Sequence, residues 1–435
     1  MQITTVTVVG ANGTMGTNVS AIFAAFGNCK VYMISRSKEK SEQAKKNAIR
    51  SVKSEGIASN LITCDYSDLE SCVQKSNLVF ESVAENIEVK RNINRDIGTY
   101  INKDTFFCTG TSGLSIDELA KELPEHVKKN YMGVHFFNPP YNMILCEFIP
   151  SKYAESSRVD FMCEYITNQL HRCVVKLRDK PAFLGNRIGF QFINEAIQYA
   201  EKYKEQGGID YIDAILGGFT GRSMSPILTA DFVGLDVHKA IVDNLYALTD
   251  DYAHETFQLP TFVEQLIEDG KLGRKSKEGL YKTIVNENGE KVHLVYDIQE
   301  NSYRPIKNYT FSFAKSIIEL LKQGDYERMV EVFEKRDTDE GALCVQFLVK
   351  YVVYALSVVK EVGYDISAAD DVMATGFNWV PPLAIVDAWG GEKRFYKLCE
   401  KVLDAEFRQR VDAEKLLREL PKSKYDYRRY FRAKS

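Results

Sequence analysis

Residues 5–16 read Thr-Val-Thr-Val-Val-Gly-Ala-Asn-Gly-Thr-Met-Gly, and they indicate the fold of the amino-terminal half. The β-branched run Thr5 to Val9 predicts a buried strand, and apolar residues recurring as far as Phe26 predict a helix that begins at Thr14. Glycine lets a backbone come close to a ligand, and the free N–H groups at a helix start attract phosphate. The sequence therefore predicts a dinucleotide-binding turn made of Gly10, Asn12, Gly13, Thr14, Met15 and Gly16.

The choice between NAD and NADP stays open. The glycine spacing, G-x-x-G-x-x-G, is one residue longer than the usual G-x-G-x-x-G. The second predicted strand, Lys30 to Ile34, is followed by Ser35, where an acid normally binds the adenosine ribose of NAD. Arg36 and Lys38 come next, and two cations there favour the 2′-phosphate of NADP. The alternative is that these cations simply begin the charged helix that follows.

Strand and helix patterns alternate through the first 180 residues. Further strands are predicted near residues 61–63, 78–83, 105–109 and 131–137. This alternation predicts a mostly parallel, doubly wound sheet whose site lies at the carboxyl ends of the strands. Glu85 and Ser112 follow two of those ends, where loop residues can contact nicotinamide and substrate. Other loop residues there only cap helices, as Ser115 is predicted to do.

A histidine and a carboxylate lie on two predicted strands joined by a turn. His135 ends an apolar run, and Asn138-Pro139-Pro140 forces a turn after it. Glu147 is the one acid in the next apolar run, Met143 to Ile149, and a buried carboxylate needs a partner. A carboxylate bonded to one imidazole nitrogen leaves the other as a base. The alternative is a solvated edge-strand glutamate and a hydrogen-bonded core histidine, but the glycine turn upstream favours a proton-handling pair.

Composition bounds the class of protein. The chain has 435 residues and a net charge of −4, which predicts two to four domains and gives no basic excess for nucleic acid. No uninterrupted apolar stretch is expected to span a membrane. The chain goes straight into a strand, so no secretory or transit segment is expected. Nine scattered cysteines and six histidines indicate reduced thiols, a cytoplasmic location and no metal site.

The remainder is predicted to be helical and internally repeated. Each copy carries an acid, a Gly-Phe pair, and a proline followed five residues later by an aspartate. The two sets are Asp213, Gly218-Phe219, Pro226 and Asp231, and Asp370, Gly376-Phe377, Pro382 and Asp387. The repeat spans about 100 residues, and Asn186-Arg187 occurs only in the first copy.

Between the copies, residues 280–298 are predicted to form a hairpin that turns at Asn286 to Gly289. Residues 304–339 are polar and charged, and we expect a linker there with one amphipathic helix, Phe311 to Leu321. The basic carboxyl end, residues 422–434, is expected to be a solvated tail and not a phosphate site.

These motifs resemble the (S)-3-hydroxyacyl-CoA dehydrogenases, in particular the dehydrogenase half of bifunctional fatty-acid β-oxidation enzymes, without their hydratase domain. The resemblance covers nearly the whole chain. It rests first on the glycine turn, the tandem helical segments, and His135-Phe-Phe-Asn138-Pro with Glu147 twelve residues after the histidine. The other matching motifs are Glu81 to Glu85 with Lys90, Thr111-Ser112, Asp179 to Arg187, Gly221 to Pro226, and Gly273 to Tyr281.

The resemblance implies a role for each matching side chain. His135 is the base that removes the 3-hydroxyl proton, and Glu147 orients it. Ser112 and Asn186 hydrogen-bond the substrate oxygen or the histidine. The residues implied on the cofactor side are Glu85, Lys90, Asn138 and Lys275. The chain departs from the family pattern at the added Asn12, at Ser35 for Asp, at Gly110 for Asn and at Gly113 for Ser.

By resemblance, the fold is an α/β Rossmann-type amino-terminal domain followed by two tandem all-α 3-hydroxyacyl-CoA dehydrogenase C-terminal-type domains. Residues 1–179 are predicted to form the NAD(P)-binding domain and residues 180–283 the first helical domain, which completes the active site. Residues 284–338 are predicted to be a hairpin and linker, and residues 339–435 a degenerate second helical domain.

The implied reaction is the NAD- or NADP-dependent oxidation of (S)-3-hydroxyacyl-CoA to 3-oxoacyl-CoA, or the reverse reduction. Two alternatives stay open: a dehydrogenase of a non-CoA β-hydroxyacid, and a non-catalytic nucleotide-sensing scaffold, which would have a decayed His–Glu pair. The expected partner is an acyl-CoA substrate, with neither nucleic acid nor membrane. The chain is expected to be a monomer with an intrachain pseudo-dimer of helical domains, or to associate with a separate enoyl-CoA hydratase.

Overall fold

Parallel strands form the centre of the amino-terminal unit. In a computed structural model, which describes residues 2–433, residues 2–184 and 362–364 form one compact unit. Its described strands are β1 Thr5–Val9, β2 Lys30–Ser35, β3 Leu61–Asp65, β4 Leu78–Glu81, β5 Phe106–Thr109, β6 Tyr131–Phe136, β7 Leu145–Pro150 and β8 Cys173–Lys176. They form one sheet in the order β3-β2-β1-β4-β5-β6-β7-β8.

Helices connect these strands. They are α1 Thr14–Ala25, α2 Lys38–Val52, α3 Leu69–Gln74, α4 Ile87–Tyr100, α5 Ile116–Ala120, α6 Glu125–Lys128 and α7 Ser156–Asn168. Strands β1 to β6 pair in parallel, β7 is antiparallel to β6, and β8 is parallel to β7. Every residue of β4, β5 and β6 is buried, as in a sheet covered on both faces. The predicted doubly wound, mostly parallel sheet is confirmed.

The strand β8 is absent from the sequence prediction. It has four residues, and three of them are partly or fully exposed. A short run with this burial carries neither the continuous apolar character of an inner parallel strand nor a clear alternation. Its pairing with β7 makes it a strand.

The second unit comprises residues 185–361 together with 365–433 and is mostly helical. Its first helices are α8 Gly185–Lys202, α9 Ile209–Ile215, α10 Pro226–Val233, α11 Leu235–Leu248 and α12 Thr261–Glu268. A three-stranded antiparallel sheet follows, with β9 Tyr281–Val285, β10 Lys291–Asp297 and β11 Ser302–Pro305. The later helices are α13 Ser312–Gln323, α14 Tyr326–Lys335, α15 Asp339–Val362, α16 Ala368–Val372, α17 Pro382–Ala388, α18 Glu392–Val402, α19 Ala405–Arg410 and α20 Ala413–Leu417.

The structure corrects the expected linker. The hairpin is confirmed, since β9 and β10 pair on either side of Asn286 to Gly289. The expectation of a single helix after it is wrong, because α14 follows α13, and β11 adds a third strand. In α14 the residues Met329, Val330 and Phe333 are buried. They form an apolar face at helical spacing, but charged residues fill most of the other positions of the helix and make the segment resemble a linker.

The long helix α15 corrects another expectation. By length and composition alone this helix could cross a membrane, so the expectation that no apolar stretch is long enough is wrong. In the structure, 78% of its most apolar 18-residue window is buried inside the protein. That is the burial of a core helix.

Candidate active site

His135 and Glu147 face each other across two antiparallel strands. They are directly opposite in the register of β6 and β7, and His135 Nδ1 lies 2.8 Å from Glu147 Oε2. Both side chains are buried. Because the carboxylate accepts a hydrogen bond, Nδ1 carries the proton, and Nε2 is the nitrogen that can take a proton from a bound alcohol. The structure thus brings these two predicted residues together.

The backbone holds the second carboxylate oxygen of Glu147. The N–H of Leu184 donates to Glu147 Oε1 at 3.1 Å. Immediately before it, Ala182 (φ 53) and Phe183 (φ 56) both adopt the left-handed conformation. That conformation costs an L-residue roughly 1–2 kcal/mol, so neighbouring contacts must maintain it. One neighbour is His135 itself, whose ring centroid lies 5.8 Å from that of Phe183.

Two departures from the family pattern have a packing reason. A Cβ added to Gly113 would stand 2.9 Å from the Cα of Ala182. A Cβ added to Gly110 would stand 2.9 Å from the ring of Phe80. The backbone at both positions is therefore too close to its neighbours for a side chain.

Two glutamates and a lysine lie at the carboxyl ends of β4 and β5. The Lys90 ammonium lies 2.9 Å from Glu81 Oε1 and 3.4 Å from Glu85 Oε2. Glu81 also accepts from the Thr109 hydroxyl at 2.7 Å, and Glu85 accepts from the Ser112 N–H at 2.7 Å. Lys90 is only 1% exposed, so it acts on this edge of the sheet by holding the two carboxylates, and Glu85 in turn fixes the backbone of Ser112.

The three glycines of the first turn have different roles. Gly10 has a φ of +84, and a Cβ there would stand 2.4 Å from the Ser82 carbonyl oxygen. A Cβ on Gly16 would stand 2.3 Å from the Gly10 carbonyl oxygen. Gly13 is exposed, and a Cβ there would meet no atom closer than 3.5 Å. The fold requires glycine at positions 10 and 16. At Gly13 the close approach of a phosphate to the start of α1 would require it. The neighbouring residues of the predicted turn are Asn12 and Thr14, which are exposed, and Met15, which is half-buried.

At the end of β2 a hydroxyl lacks a partner. Ser35 is 1% exposed, and its Oγ has no hydrogen-bond partner among residues 2–433. Buried polar groups are nearly always paired, so this position fits a polar group of a bound ligand. Arg36 and Lys38 beside it are exposed, with Lys38 Nζ 3.6 Å from Asp68 Oδ2.

Asn138 is held by a side chain that the sequence analysis did not single out. Its Oδ1 accepts from Asn18 Nδ2 at 3.1 Å. Asn18 lies on α1, two residues after Gly16. This bond fixes the direction of the Asn138 amide after β6.

The other predicted residues, Asn186 and Lys275, belong to the second unit. Asn186 is buried in the first turn of α8. Its neighbour Arg187 donates to Asp251 at 2.7 Å and to Glu361 at 2.9 Å. The ammonium group of Lys275 is hydrogen-bonded to a carboxylate at the start of α11, that of Asp236.

Glu81, Asn18 and Leu184 belong to this site, but no role for them was predicted from the sequence, although Glu81 and Leu184 lie in motifs that match the family. Glu81 could have been found, because it is the one acid in a buried strand, the same signal that marks Glu147. Leu184 contributes only its backbone N–H, which no residue type reveals. Asn18 is one of several polar residues on a helix, and its partner is far away in sequence.

Two family models match the chain. Residues 5–180 match the NAD-binding domain of 3-hydroxyacyl-CoA dehydrogenase. Residues 183–283 match the C-terminal domain of 3-hydroxyacyl-CoA dehydrogenase. The amino-terminal unit therefore carries the nicotinamide-nucleotide-binding domain of this family.

Curated relatives and a solved structure agree with the family models. A putative fatty acid oxidation complex trifunctional enzyme of Rickettsia prowazekii is 26% identical, over 87% of this chain and 52% of that protein. A probable 3-hydroxyacyl-CoA dehydrogenase of Bacillus subtilis is 29% identical, over 75% of this chain and 40% of that protein. The chain thus spans about half, or less, of their lengths. The crystal structure of 3-hydroxybutyryl-CoA dehydrogenase from Escherichia coli shares the fold, with a TM-score of 0.69, 21% identity, and 96% and 99% of the two chains covered. The chain belongs to the 3-hydroxyacyl-CoA dehydrogenase family.

Proposed function

We propose that this protein interconverts (S)-3-hydroxyacyl-CoA and 3-oxoacyl-CoA with NAD or NADP. The observation that carries the proposal is the 2.8 Å contact between His135 Nδ1 and Glu147 Oε2. A buried carboxylate at Nδ1 makes Nε2 a base and stabilises the imidazolium that proton uptake creates. Oxidation of a secondary alcohol requires such a base at the hydroxyl, whereas a nucleotide-sensing scaffold has no use for one.

The residues of this chain handle the proton. The chemistry that a bound nicotinamide supplies is hydride acceptance in oxidation and hydride donation in reduction. His135 Nε2 takes the hydroxyl proton as the alcohol becomes a ketone, and it returns the proton to the oxygen in the reverse direction. Glu147 stabilises the resulting imidazolium, and the N–H of Leu184 keeps the carboxylate in place. By family resemblance, Ser112 and Asn186 hold the substrate oxygen.

The residues at the glycine turn and at the end of β2 fit a dinucleotide. Gly13 presents an open backbone at the start of α1, where a pyrophosphate binds. The unpartnered hydroxyl of Ser35 lies where the adenosine ribose binds in this fold. The exposed guanidinium of Arg36 can pair with a 2′-phosphate in two hydrogen bonds. These residues support acceptance of NADP as well as NAD.

The second helical segment is proposed to be a degenerate copy of the first. Asp213 Oδ1 accepts from the Ile227 N–H at 2.9 Å, and Asp370 Oδ1 accepts from the Leu383 N–H at 2.8 Å. Each donor follows the proline that starts a helix, α10 or α17. Burial raises the pKa of Asp213 to about 6 and that of Asp370 to about 7. The two aspartates thus hold the starts of their helices in the same way.

A second contact repeats in the two copies. The hydroxyl of Tyr281 donates to Asp213 at 2.7 Å, and its N–H donates to Asp231 at 3.1 Å. In the later copy one residue again bonds both aspartates: the hydroxyl of Ser423 donates to Asp370, and its N–H donates to Asp387 at 2.8 Å. Tyr281 and Ser423 thus make equivalent hydrogen bonds in the two helical segments, as expected if one segment is a copy of the other.

The two copies also contact each other. The Val380 N–H donates to the Gly221 carbonyl at 2.7 Å, and the buried guanidinium of Arg222 lies 4.8 Å from the ring centroid of Trp379. These contacts support an intrachain pseudo-dimer and a monomeric protein. The occurrence of Asn186-Arg187 in the first copy alone supports one active site per chain. Association with a separate enoyl-CoA hydratase and a cytoplasmic location stay expectations from the sequence.

A steady-state assay tests the proposed reaction. We expect acetoacetyl-CoA to be reduced with NADH or NADPH, and free acetoacetate to be reduced with a far lower kcat/KM. Faster reduction of acetoacetate would favour the alternative of a non-CoA β-hydroxyacid dehydrogenase. Failure to reduce either compound with either cofactor would contradict the proposal.

A further inference from the structure

A cavity of about 1150 Å³ lies in the second unit. Helices α9, α10 and α13, the β9–β10 hairpin and residues 306–311 line it, and all the lining residues belong to this unit. About half of them lie beyond residue 283, where the match to the C-terminal family model ends. The cavity is therefore built in large part by the segment that separates the two helical copies.

One side of the cavity is apolar although it is open to solvent. Leu228 and Phe232 on α10 are 38% and 45% exposed, and Ile306 is 41% exposed. Phe311 and Ile318 line the cavity beside them and are partly exposed. Exposed apolar side chains that converge on one cavity are typical of a binding site for an apolar ligand.

Three carboxylates at the cavity wall already have partners. Asp210 Oδ1 lies 2.7 Å from Arg304 Nη2 in a salt bridge. Asp213 accepts from the Tyr281 hydroxyl at 2.7 Å, and Asp231 accepts from the Tyr281 N–H at 3.1 Å. Arg304 thus offsets the charge of Asp210, and the fold uses acceptor oxygens of Asp213 and Asp231 in hydrogen bonds from neutral donors.

Of the five lysines that line the same cavity, Lys282 pairs with Glu278 at 3.0 Å, and the other four lack such a partner. They are Lys277, Lys307, Lys315 and Lys322, all of them exposed. Across the described residues 2–433, no Asp or Glu oxygen lies within 4.0 Å of their ammonium nitrogens. Glu319 on α13 is the one exposed carboxylate among the lining residues. Four lysines against one such carboxylate make the rim positive.

We propose that this cavity binds an acyl chain that carries an anionic head group. The chain packs against Leu228, Phe232 and Phe311, and the head group lies among Lys307 and Lys315. The chemistry is shared by a free fatty carboxylate and by a fatty acyl-CoA thioester, whose phosphates are the anion. Binding here needs neither nicotinamide nor His135, so the proposal goes beyond the proposed reaction.

Calorimetric titration of the full-length protein with dodecanoate, without nicotinamide, tests the site. We expect one molecule to bind per chain, and the affinity to rise from octanoate to decanoate to dodecanoate by up to about fourfold per methylene. Dodecyltrimethylammonium has the same chain with a positive head and should bind at least about tenfold more weakly. Equal binding of the cation, or no binding of dodecanoate, would overturn the proposal.

Two variants locate the site. Leu228→Glu and the double variant Lys307→Glu/Lys315→Glu should each weaken dodecanoate binding by about tenfold or more, because a carboxylate then faces the chain or the head group. The matched controls, Val237→Glu on α11 and Lys393→Glu/Lys397→Glu on α18, should bind as wild type does. Binding that all four variants retain would overturn the assignment.

Further arms separate the two ligand sources and the proposed reaction. Dodecanoyl-CoA and CoA are titrated into the wild type and Leu228→Glu. If the substitution weakens the binding of dodecanoyl-CoA more than that of dodecanoate, the thioester is the ligand. Otherwise the free carboxylate is the ligand. His135→Gln should bind dodecanoate normally, so loss of reductase activity and loss of this site are distinguishable. A concentration-dependent dimer that Leu228→Glu abolishes, with no amphiphile bound, would assign the face to a second copy and overturn the proposal.

Discussion

Gly113 lies directly against the backbone of Ala182, so that a Cβ on the glycine would stand 2.9 Å from the Ala182 Cα. Ala182 begins the left-handed pair that places the Leu184 N–H on Glu147. The family pattern has serine where this chain has Gly113. The glycine therefore belongs to the geometry that holds the carboxylate behind His135.

Restoring the family residue should consequently impair this protein. In Gly113→Ser the added side chain pushes on residues 182–184, which should cost about 1–3 kcal/mol of unfolding free energy and lower kcat for acetoacetyl-CoA. Denaturant unfolding and steady-state kinetics measure both. Gly56→Ser is the control, because a Cβ there meets no atom closer than 3.6 Å. A Gly113→Ser protein with wild-type stability and turnover would show that the close approach does not matter.

The end of β2 gives a prediction about cofactor affinity. Arg36→Ala should weaken NADPH by about tenfold or more, the usual worth of a charge-assisted hydrogen bond, and NADH much less. The quenching of protein fluorescence on titration gives both dissociation constants. Lys40→Ala removes another exposed cation of the same segment and should change neither. Equal weakening of the two cofactors by Arg36→Ala would make Arg36 an ordinary surface cation.

Removal of the second helical copy tests the pseudo-dimer. Deleting residues 337–435 takes away Trp379, whose ring centroid lies 5.4 Å from that of Phe192 on α8, and uncovers Arg222. The apolar face left behind should cause dimerisation or aggregation, which sedimentation velocity measures. A truncated protein that stayed monomeric, soluble and fully active would refute the pseudo-dimer.

His238 makes part of the stability depend on pH. It is fully buried on α11, and burial lowers its pKa to about 3. Its Nε2 lies 2.9 Å from Asn194 Oδ1, while the Asn194 amide nitrogen donates to two carbonyls. Nε2 therefore donates, and the imidazole is neutral in the folded protein.

The unfolded chain takes up a proton at His238 below its ordinary pKa of 6.5, and the folded protein does not do so until about pH 3. The contribution of His238 to the free energy of unfolding is thus present above pH 6.5 and is lost as the pH falls below that value. His238→Gln is destabilised at pH 7.5, but the deficit relative to wild type should shrink by about 1.4 kcal/mol at pH 5.5. Denaturant unfolding at the two pH values measures the difference. A deficit that is constant with pH would mean that His238 is not held neutral.

Local patterns were enough to predict the amino-terminal fold. The strand, glycine turn and helix over residues 5–25, the further strands, and the facing of His135 and Glu147 all depend on residues close in sequence or on a strong apolar pattern. The strand β8 and the helix α14 were not predicted because their sequences are half polar and carry a weak local pattern. Tertiary packing stabilises the strand and the helix there.

The supporting contacts of the site could be predicted only in part. Glu81 could be predicted, because it is the one acid in a buried strand. The N–H of Leu184 and the contact of Gly113 with Ala182 are made by backbone atoms across long sequence distances, so residue types alone do not reveal them. The cavity of the second unit depends in the same way on how residues 306–322 pack against α9 and α10.

The rate of acetoacetyl-CoA reduction by His135→Gln shows whether His135 is the base of the reaction. His126→Gln is the matched control, because His126 is exposed on α6 in the same unit. We expect kcat of His135→Gln to fall by about two to four orders of magnitude, while the NADH dissociation constant and the activity of His126→Gln stay at wild-type values. Turnover by His135→Gln close to that of the wild type would show that His135 is not the base.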